Sequence, residues 1–439
     1  MKYITVNGLK YSVVDGTNLK DALITNGLLN KDLLLCNGKG ICGKCSVSIM
    51  KDTDRDYINV RSCQTVIDSD MIVRLRESRI YHYFLNEQIN SYSRLGLSVD
   101  IGTTTLSMAI INLDNGKEVG LIIRDNPQSI FGSDVISRID AYTNGENLQA
   151  VIHSAIAEYI EGINIETMVI SANTVMQHIF AGGSLDGMRQ FPMTADRNLS
   201  EITSQWYRIA KDVKYFNNVG KIIILPYVGE YFGADAVLGV IEVMKLSDKP
   251  SIFVDLGTNS EIAITSNDKV YCTAAAAGCA LLGNYNGSDV VDAISNMLKS
   301  ELIDDTGRIN GSKGNVTYKN ITLTQADIRS YQLMKAAIRC GIQIMLEAAG
   351  VDSSEVANIY ISGQFGKNTE ISSLIGGGII PNINSNIVIL GNSSLNGAKE
   401  YLMNEITNDT IYEHMKKCKY YNMAEHPDFN DIFVDEINF

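Results

Sequence analysis

Val99-Asp100-Ile101-Gly102-Thr103-Thr104-Thr105 is the end of an apolar strand that runs into an aspartate, a glycine and three hydroxyl residues. That order suits a phosphate. The glycine allows a tight turn that presents successive N–H groups to a ligand, the threonines add donors, and the aspartate can hold a hydrated magnesium ion. Alone, the stretch also fits an Asp–Gly turn in an ordinary hairpin. It returns, however, 155 positions later as Val254-Asp255-Leu256-Gly257-Thr258-Asn259-Ser260-Glu261. Two such loops on two similar halves can grip a nucleotide's phosphates from opposite sides, so the pair outweighs either copy.

Working outward, 439 residues can bury the cores of roughly two to four domains. The composition, 45% hydrophobic and 20% charged, is that of an ordinary globular chain. No apolar run reaches 18 residues, and Met1-Lys2-Tyr3-Ile4-Thr5-Val6 reads as a strand rather than a signal peptide. A cytoplasmic protein without a membrane partner is therefore expected. A net charge of −13 argues against nucleic acid as the main partner. The charge is uneven, +3 over residues 1–95 and −16 over the remainder, which implies two differently built modules.

In the first module, Ile4–Val6 and Tyr11–Val14 read as strands around Asn7-Gly8, and Asn18 precedes a short helix to Thr25. Four of the eight cysteines then fall in the pattern C-x5-C-x2-C-x17-C, Cys36, Cys42, Cys45 and Cys63. Glycines between the first three let the backbone wrap closely and aim N–H groups at sulfides. The arrangement resembles the two-iron two-sulfur ferredoxins, whose plant-type loop differs mainly by one residue of spacing. A four-cysteine zinc site more often uses two C-x2-C pairs, and disulfides are disfavoured in a cytosolic chain. The resemblance implies a β-grasp ferredoxin fold with those four thiolates as ligands and one-electron transfer as its task. Glu77 to Arg94 reads as a connector in which His82, set among aromatics, packs rather than ligates.

In the second module, Ser107–Asn112 and the Gly116-Lys117 turn suggest a hairpin, and Gly132–Ile139 and Leu148–Ile160 carry helical spacing. Met168–Ala172 returns to strand and Ala172–His178 opens another helix, with His178 read as a hydrogen-bonded core residue. The strand Ile222–Leu225 leads to Gly233-Ala234-Asp235, where Asp235 is a candidate for metal positioning or for orienting an attacking water, or else a helix N-cap. Thr324 or Asp327 is placed to cap a long buried helix through Ala349, ended by Gly350. Ile359 to Gly366 is a third strand-to-glycine turn, suited to an adenine ring lying against backbone.

Two phosphate loops and this turn, in this order, reproduce the layout of the actin-like, sugar-kinase-like ATPase superfamily. With the cysteine loop, Gly132–Ile139, Ala172–His178, Asp327–Ile338 and the closing His426–Val434, the whole chain resembles the ATP-dependent reductive activators of corrinoid proteins. The resemblance implies a β-grasp [2Fe-2S] domain over residues 1–78, a connector over 79–95, and a two-lobed α/β ATPase of duplicated ribonuclease H-like folds over 96–439, with lobes at about 96–250 and 251–439. Three features differ from the family pattern. Ser98–Thr105 follows the connector almost directly, which bears on how the modules move, while the adenosine turn reads Gly363-Gln364 and the stretch after Cys272 is alanine-rich, two changes expected to lower nucleotide affinity or hydrolytic rate.

The same resemblance implies roles. Asp100 and Asp255 position magnesium, and Asp235 joins them as a catalytic candidate. Thr103, Thr104, Thr105, Thr258 and Asn259 contact phosphates, with Gly102, Gly257 and Glu261 in the same cofactor-binding loops. Lys335 and Gly363 face the nucleoside, although a snorkelling lysine is an equal reading of Lys335. The expected activity is delivery of one electron from a low-potential donor, through the cluster, to a corrinoid protein of a methyltransferase system, converting cob(II)alamin to cob(I)alamin. Each 59 mV of shortfall in potential costs about 1.4 kcal/mol per electron, so ATP is expected to favour a closed complex in which cobalt is easier to reduce. The rival readings are a small-molecule kinase with a redox-sensing cluster and a non-catalytic, ATP-regulated electron-transfer module.

Overall fold

A computed structural model describes residues 1–6, 9–26, 28, 46–51, 58–74, 80–132, 134–189, 194, 215–275, 277, 285, 287–311, 314–363, 366 and 369–439. The N-terminal module is a five-stranded sheet ordered β2-β1-β5-β3-β4, built from β1 (Lys2–Val6), β2 (Leu9–Val13), β3 (Ser46–Lys51), β4 (Ile58–Arg61) and β5 (Met71–Arg74). Helix α1 (Leu19–Thr25) buries Leu19, Ala22 and Leu23 against Ile4, Val6, Val47, Ile49 and Val73. Its cap, Asn18, accepts from the Lys20 N–H at 3.1 Å and donates to the Cys63 carbonyl at 3.1 Å, tying the helix start to the turn that carries Cys63.

Two six-stranded sheets follow. The first, ordered β11-β10-β7-β8-β9-β6, contains β6 (Ile80–Leu85), β7 (Leu95–Ile101), β8 (Thr105–Asn112), β9 (Glu118–Asp125), β10 (Ile165–Ala172) and β11 (Val219–Ile224). The second, ordered β18-β17-β12-β13-β14-β19, contains β12 (Ser251–Leu256), β13 (Ser260–Ser266), β14 (Lys269–Ala275), β17 (Asn358–Ser362), β18 (Asn386–Gly391) and β19 (Cys418–Tyr420). A separate hairpin joins β15 (Asn315–Tyr318) to β16 (Ile321–Thr324). Without the edge strands β6 and β19, the two sheets have the same order, so the second half repeats the first. Ile80–Leu85 lies in the stretch expected to be a connector, yet it pairs with β9 as the edge of the first sheet.

Helices α2 (Val135–Thr143), α3 (Leu148–Tyr159) and α4 (Thr174–Ala181) share one core with the first sheet. Helices α6 (Gly287–Lys299), α7 (Gln325–Ala349) and α8 (Ile371–Gly376) pack with the second. Thr324 and Asp327 form a reciprocal capping box at the start of α7, and Gly350 ends it at φ 65°. Between the sheets lie α5 (Ala234–Leu246) and α9 (Ser393–Leu402), packed on each other. Each lobe lends a helix to its neighbour: α5 rests on β12 and β13, and α9 on β7 and β10. The interlobe core contains Val169, Val237, Phe253 and Tyr360, and burying a side chain the size of Phe253 contributes about 1.5–3 kcal/mol. Helices α10 (Asn408–Lys417) and α11 (Phe429–Asp435) finish the chain, with α11 against α7. Among the described residues, no helix is long and apolar enough to cross a membrane.

Candidate active site

The central strands β7 and β12 are buried along most of their length, which explains their near-continuous apolar runs. Each ends at an aspartate that keeps partial solvent access. Asp100 accepts hydrogen bonds from Asn392 Nδ2 and Ser394 Oγ, both at 2.8 Å, and Ser394 Oγ lies 2.8 Å from Ser171 Oγ. The turn beyond is held by its carbonyls. Gly102 O accepts from Asn126 Nδ2 at 2.7 Å, Thr103 O from Arg138 Nη2, and Thr104 O from the Asn126 N–H at 2.7 Å. Asn173, the N-cap of α4, donates from Nδ2 to Thr103 Oγ1 at 3.1 Å. Among the described residues, the N–H groups of Thr103 and Thr104 find no acceptor.

The second turn is tightened by its own backbone, Gly257 N–H donating to Asn259 O at 3.1 Å. Asp255 pairs across the sheet with Glu261 and Ser362. Ser362, the strand neighbour of Asp255, donates from Oγ to the Gly391 carbonyl at 3.2 Å and lies 2.6 Å, Oγ to Oγ, from Ser393. Gly363 adopts φ +89°, and a Cβ there would come within 2.5 Å of Asp255 Oδ1, so the third turn is confined to glycine. The two Asp-x-Gly turns meet directly, Thr104 Oγ1 lying 2.6 Å from Thr258 Oγ1.

Asp235 enters from the first turn of α5. Gly233 takes the N-cap position instead, and a Cβ on it would fall 2.4 Å from both Ala172 O and Asn173 Cα, so only glycine lets the helix start so close to β10. Four acids thereby share one space. Burial, then repulsion from Asp255 and Asp100, pushes Asp235 up to about 8. Burial, then Asp100, pushes Asp255 up to about 7, with the neighbouring Ser362 side chain opposing. Burial with Asp235 and Asp255 holds Glu261 well above its ordinary value, and burial raises Asp100 despite its two donors. Such a group can hold a divalent cation, which would relieve the repulsion, or keep a proton near neutral pH for acid–base work. Among the described residues no three acids, histidines or cysteines are grouped so as to hold a metal ion by themselves.

Asp100, Asp235, Asp255, Glu261 and both Asp-x-Gly turns thus come together, with Gly363 beside them. The contacts of Lys335 lie elsewhere. Its buried ammonium donates to the Asn438 carbonyl at 2.5 Å and lies 5.7 Å from the Phe439 ring centre, and burial lowers it to about 8. His178 is a core residue with Nδ1 2.7 Å from Thr174 O. Cys63 is buried, whereas Cys36, Cys42 and Cys45 lie outside the described residues. Asn126, Arg138, Asn173, Asn392 and Ser394 are supports that the sequence reading did not single out. For the three asparagines and Ser394 the one available signal was their type, small polar residues at helix starts, and Arg138, internal to α2, had none. A cavity of about 420 Å³ lined by Ser93, Glu166 and Asn218 sits at the opposite ends of β7 and β10, away from the acids.

Residues 95–248 match the family model described as the RACo middle region, and residues 249–286 and 285–439 match that of the C-terminal domain of RACo, the ASKHA domain. The corrinoid activation enzyme RamQ of Eubacterium limosum is 25% identical over 391 residues, 71% of this chain and 64% of that protein. The chain thus spans less than two thirds of that relative. A [Co(II) methylated amine-specific corrinoid protein] reductase of Methanosarcina barkeri is 22% identical over 428 residues, 78% of this chain and 77% of that one. A solved reductive activator for a corrinoid iron-sulfur protein superposes with a TM-score of 0.68 at 21% identity, covering 100% of this chain and 98% of its own. The last comparison establishes a shared fold.

Proposed function

The chain belongs to the RACo family, and on that premise we propose that it is an ATP-dependent reductive activator, passing one electron to the cobalt of a corrinoid protein and returning it from Co(II) to Co(I). The observation that carries the nucleotide half is the meeting of two phosphate turns at Thr104 and Thr258 over Asp100, Asp235, Asp255 and Glu261. Unengaged N–H groups suit phosphate oxygens, and crowded carboxylates suit Mg2+, so these residues fit Mg-ATP. Asp100 and Asp255 would hold the cation's water shell, and Asp235, easily protonated, would orient or deprotonate an attacking water. Gly363 leaves room for the nucleoside. Lys335 would meet it only if the contacts to residues 438 and 439 opened.

The N-terminal module is read as a β-grasp ferredoxin domain, which its mixed five-stranded sheet and single described helix support. Cys63, buried and backed by Asn18, fits a fourth thiolate alongside Cys36, Cys42 and Cys45. Bound there, a [2Fe-2S] cluster supplies one-electron transfer from a low-potential donor. The surroundings favour the cytoplasm, where thiols stay reduced.

The test is anaerobic mixing with a Co(II) corrinoid protein, a reductant and Mg-ATP while following the cob(I) spectrum. The reading expects cob(I) only when ATP is hydrolysed. Reduction without hydrolysis, or phosphate transfer to a sugar or acid, overturns it. Cys63→Ser is expected to abolish reduction and leave ATP binding intact.

A further inference from the structure

We propose that Arg138 is a positioning residue for the nucleotide's phosphates, acting through the backbone of the first phosphate loop rather than by touching the ligand. The inference rests on the nucleotide reading of the cleft. Arg138 belongs to α2 and is fully buried, an unusual place for a group that stays charged at any pH the protein meets. Its planar fork reaches three separate segments. Nε donates to Gly132 O at 3.2 Å, Nη1 points to Met176 Sδ of α4 at 3.2 Å, and Nη2 donates to Thr103 O. The start of α2 is itself fixed, because Asp134 and Ser137 form a reciprocal capping box beside Gly132. The guanidinium is therefore anchored at one end and engages the loop at the other.

The effect on the loop follows from the peptide unit. In a planar trans peptide the carbonyl of one residue and the N–H of the next point in opposite directions. With the carbonyls of Gly102, Thr103 and Thr104 engaged by Asn126, Arg138 and again Asn126, the N–H groups of Thr103, Thr104 and Thr105 each point away from the donor that holds their peptide. Arg138 controls the middle one, that of Thr104, and does so with a charged donor. A carbonyl that accepts from a cation polarises its own peptide, which makes the attached N–H a stronger donor. Both consequences, direction and polarity, act on the phosphates and leave the nucleoside alone.

That selectivity supplies the test. Equilibrium binding of ATP and of adenosine is measured for the full chain and for Arg138→Lys, which keeps the charge and loses the fork. ATP affinity is expected to fall about tenfold or more, the loss of one charge-assisted hydrogen bond, while adenosine stays within about twofold. Asn126→Ala, which frees Gly102 O and leaves the arginine in place, gives an arm that does not depend on Arg138→Lys folding, with an ATP-selective loss of about threefold. Equal weakening of the two ligands in either variant, or no change in ATP binding, overturns the inference. A wild-type chain that binds adenosine but not ATP overturns the phosphate reading and this inference together.

Discussion

Asp100 and Asp255 close equivalent strands of two sheets with the same order, yet the turns that follow them are supported in different ways. The first is held from outside: Asn126, Arg138, Asn173, Asn392 and Ser394 come from four places in the sequence to fix its carbonyls, hydroxyl and acid. Among the described residues the second has fewer supports, the Gly257 to Asn259 bond within the turn and the contact of Thr258 with Thr104. Duplication has kept the path of the chain and let the scaffolding diverge. The difference teaches that side chains from other elements fix the first turn, which sets its geometry in the folded chain. Preorganised donors of the first kind need no rearrangement when charge appears.

Replacing the acids tests this contrast most strongly. Asp100→Asn and Asp255→Asn are each expected to lower the ATPase kcat by about 100-fold or more, and steady-state phosphate release reads both. Equal losses would mean that the two halves contribute alike, and a loss confined to Asp100 would make the first half dominant. Next in size is Asn392→Ala, which removes the 2.8 Å donor to Asp100 and is expected to cost about tenfold in kcat/KM for ATP. Ser362→Ala, the matching change beside Asp255, should cost less if the second turn depends less on its surroundings.

Much of the first-order pattern was legible. Strand, aspartate, glycine and hydroxyl are contiguous, so both turns could be read directly, as could the Thr324 start and Gly350 stop of α7. Asp235 was found as a candidate, but its helix begins on Gly233, and the crowding that raises it depends on acids from other strands. Asn392 lies 292 positions from Asp100, a separation that no local pattern encodes. Arg138 stood inside a quoted stretch, yet helical spacing gives a face and not a partner. Ile80–Leu85 is exposed along nearly all of its length, so it lacks the alternation of a half-buried strand and owes its state to pairing with β9.

Smaller effects sharpen the comparison. Asp235 and Asp255 ionise less readily folded than unfolded, so the metal-free chain has their full contribution to stability below about pH 4. It loses that contribution as pH rises through about 7 for Asp255 and about 8 for Asp235. Asp235→Asn should therefore raise the melting temperature in EDTA by about 2–4 °C at pH 8.5, with the gain vanishing near pH 4. Thermal scans at the two pH values check it, and a gain that is larger in acid would reverse the assignment. Smallest is Thr258→Val, which removes the contact with Thr104 and should raise the KM for ATP about threefold. Thr104→Val should do the same, since one contact is lost in either case.

Asn392, Ser393 and Ser394 are consecutive, and they serve opposite masters. The outer two grip Asp100 in the first lobe, while the middle one holds Ser362, the strand neighbour of Asp255, in the second. A single turn of α9 thus works like a gear tooth meshed with two wheels. An insertion or deletion of one residue just before it would throw both out of register at once, and no repair made within one lobe would restore the other.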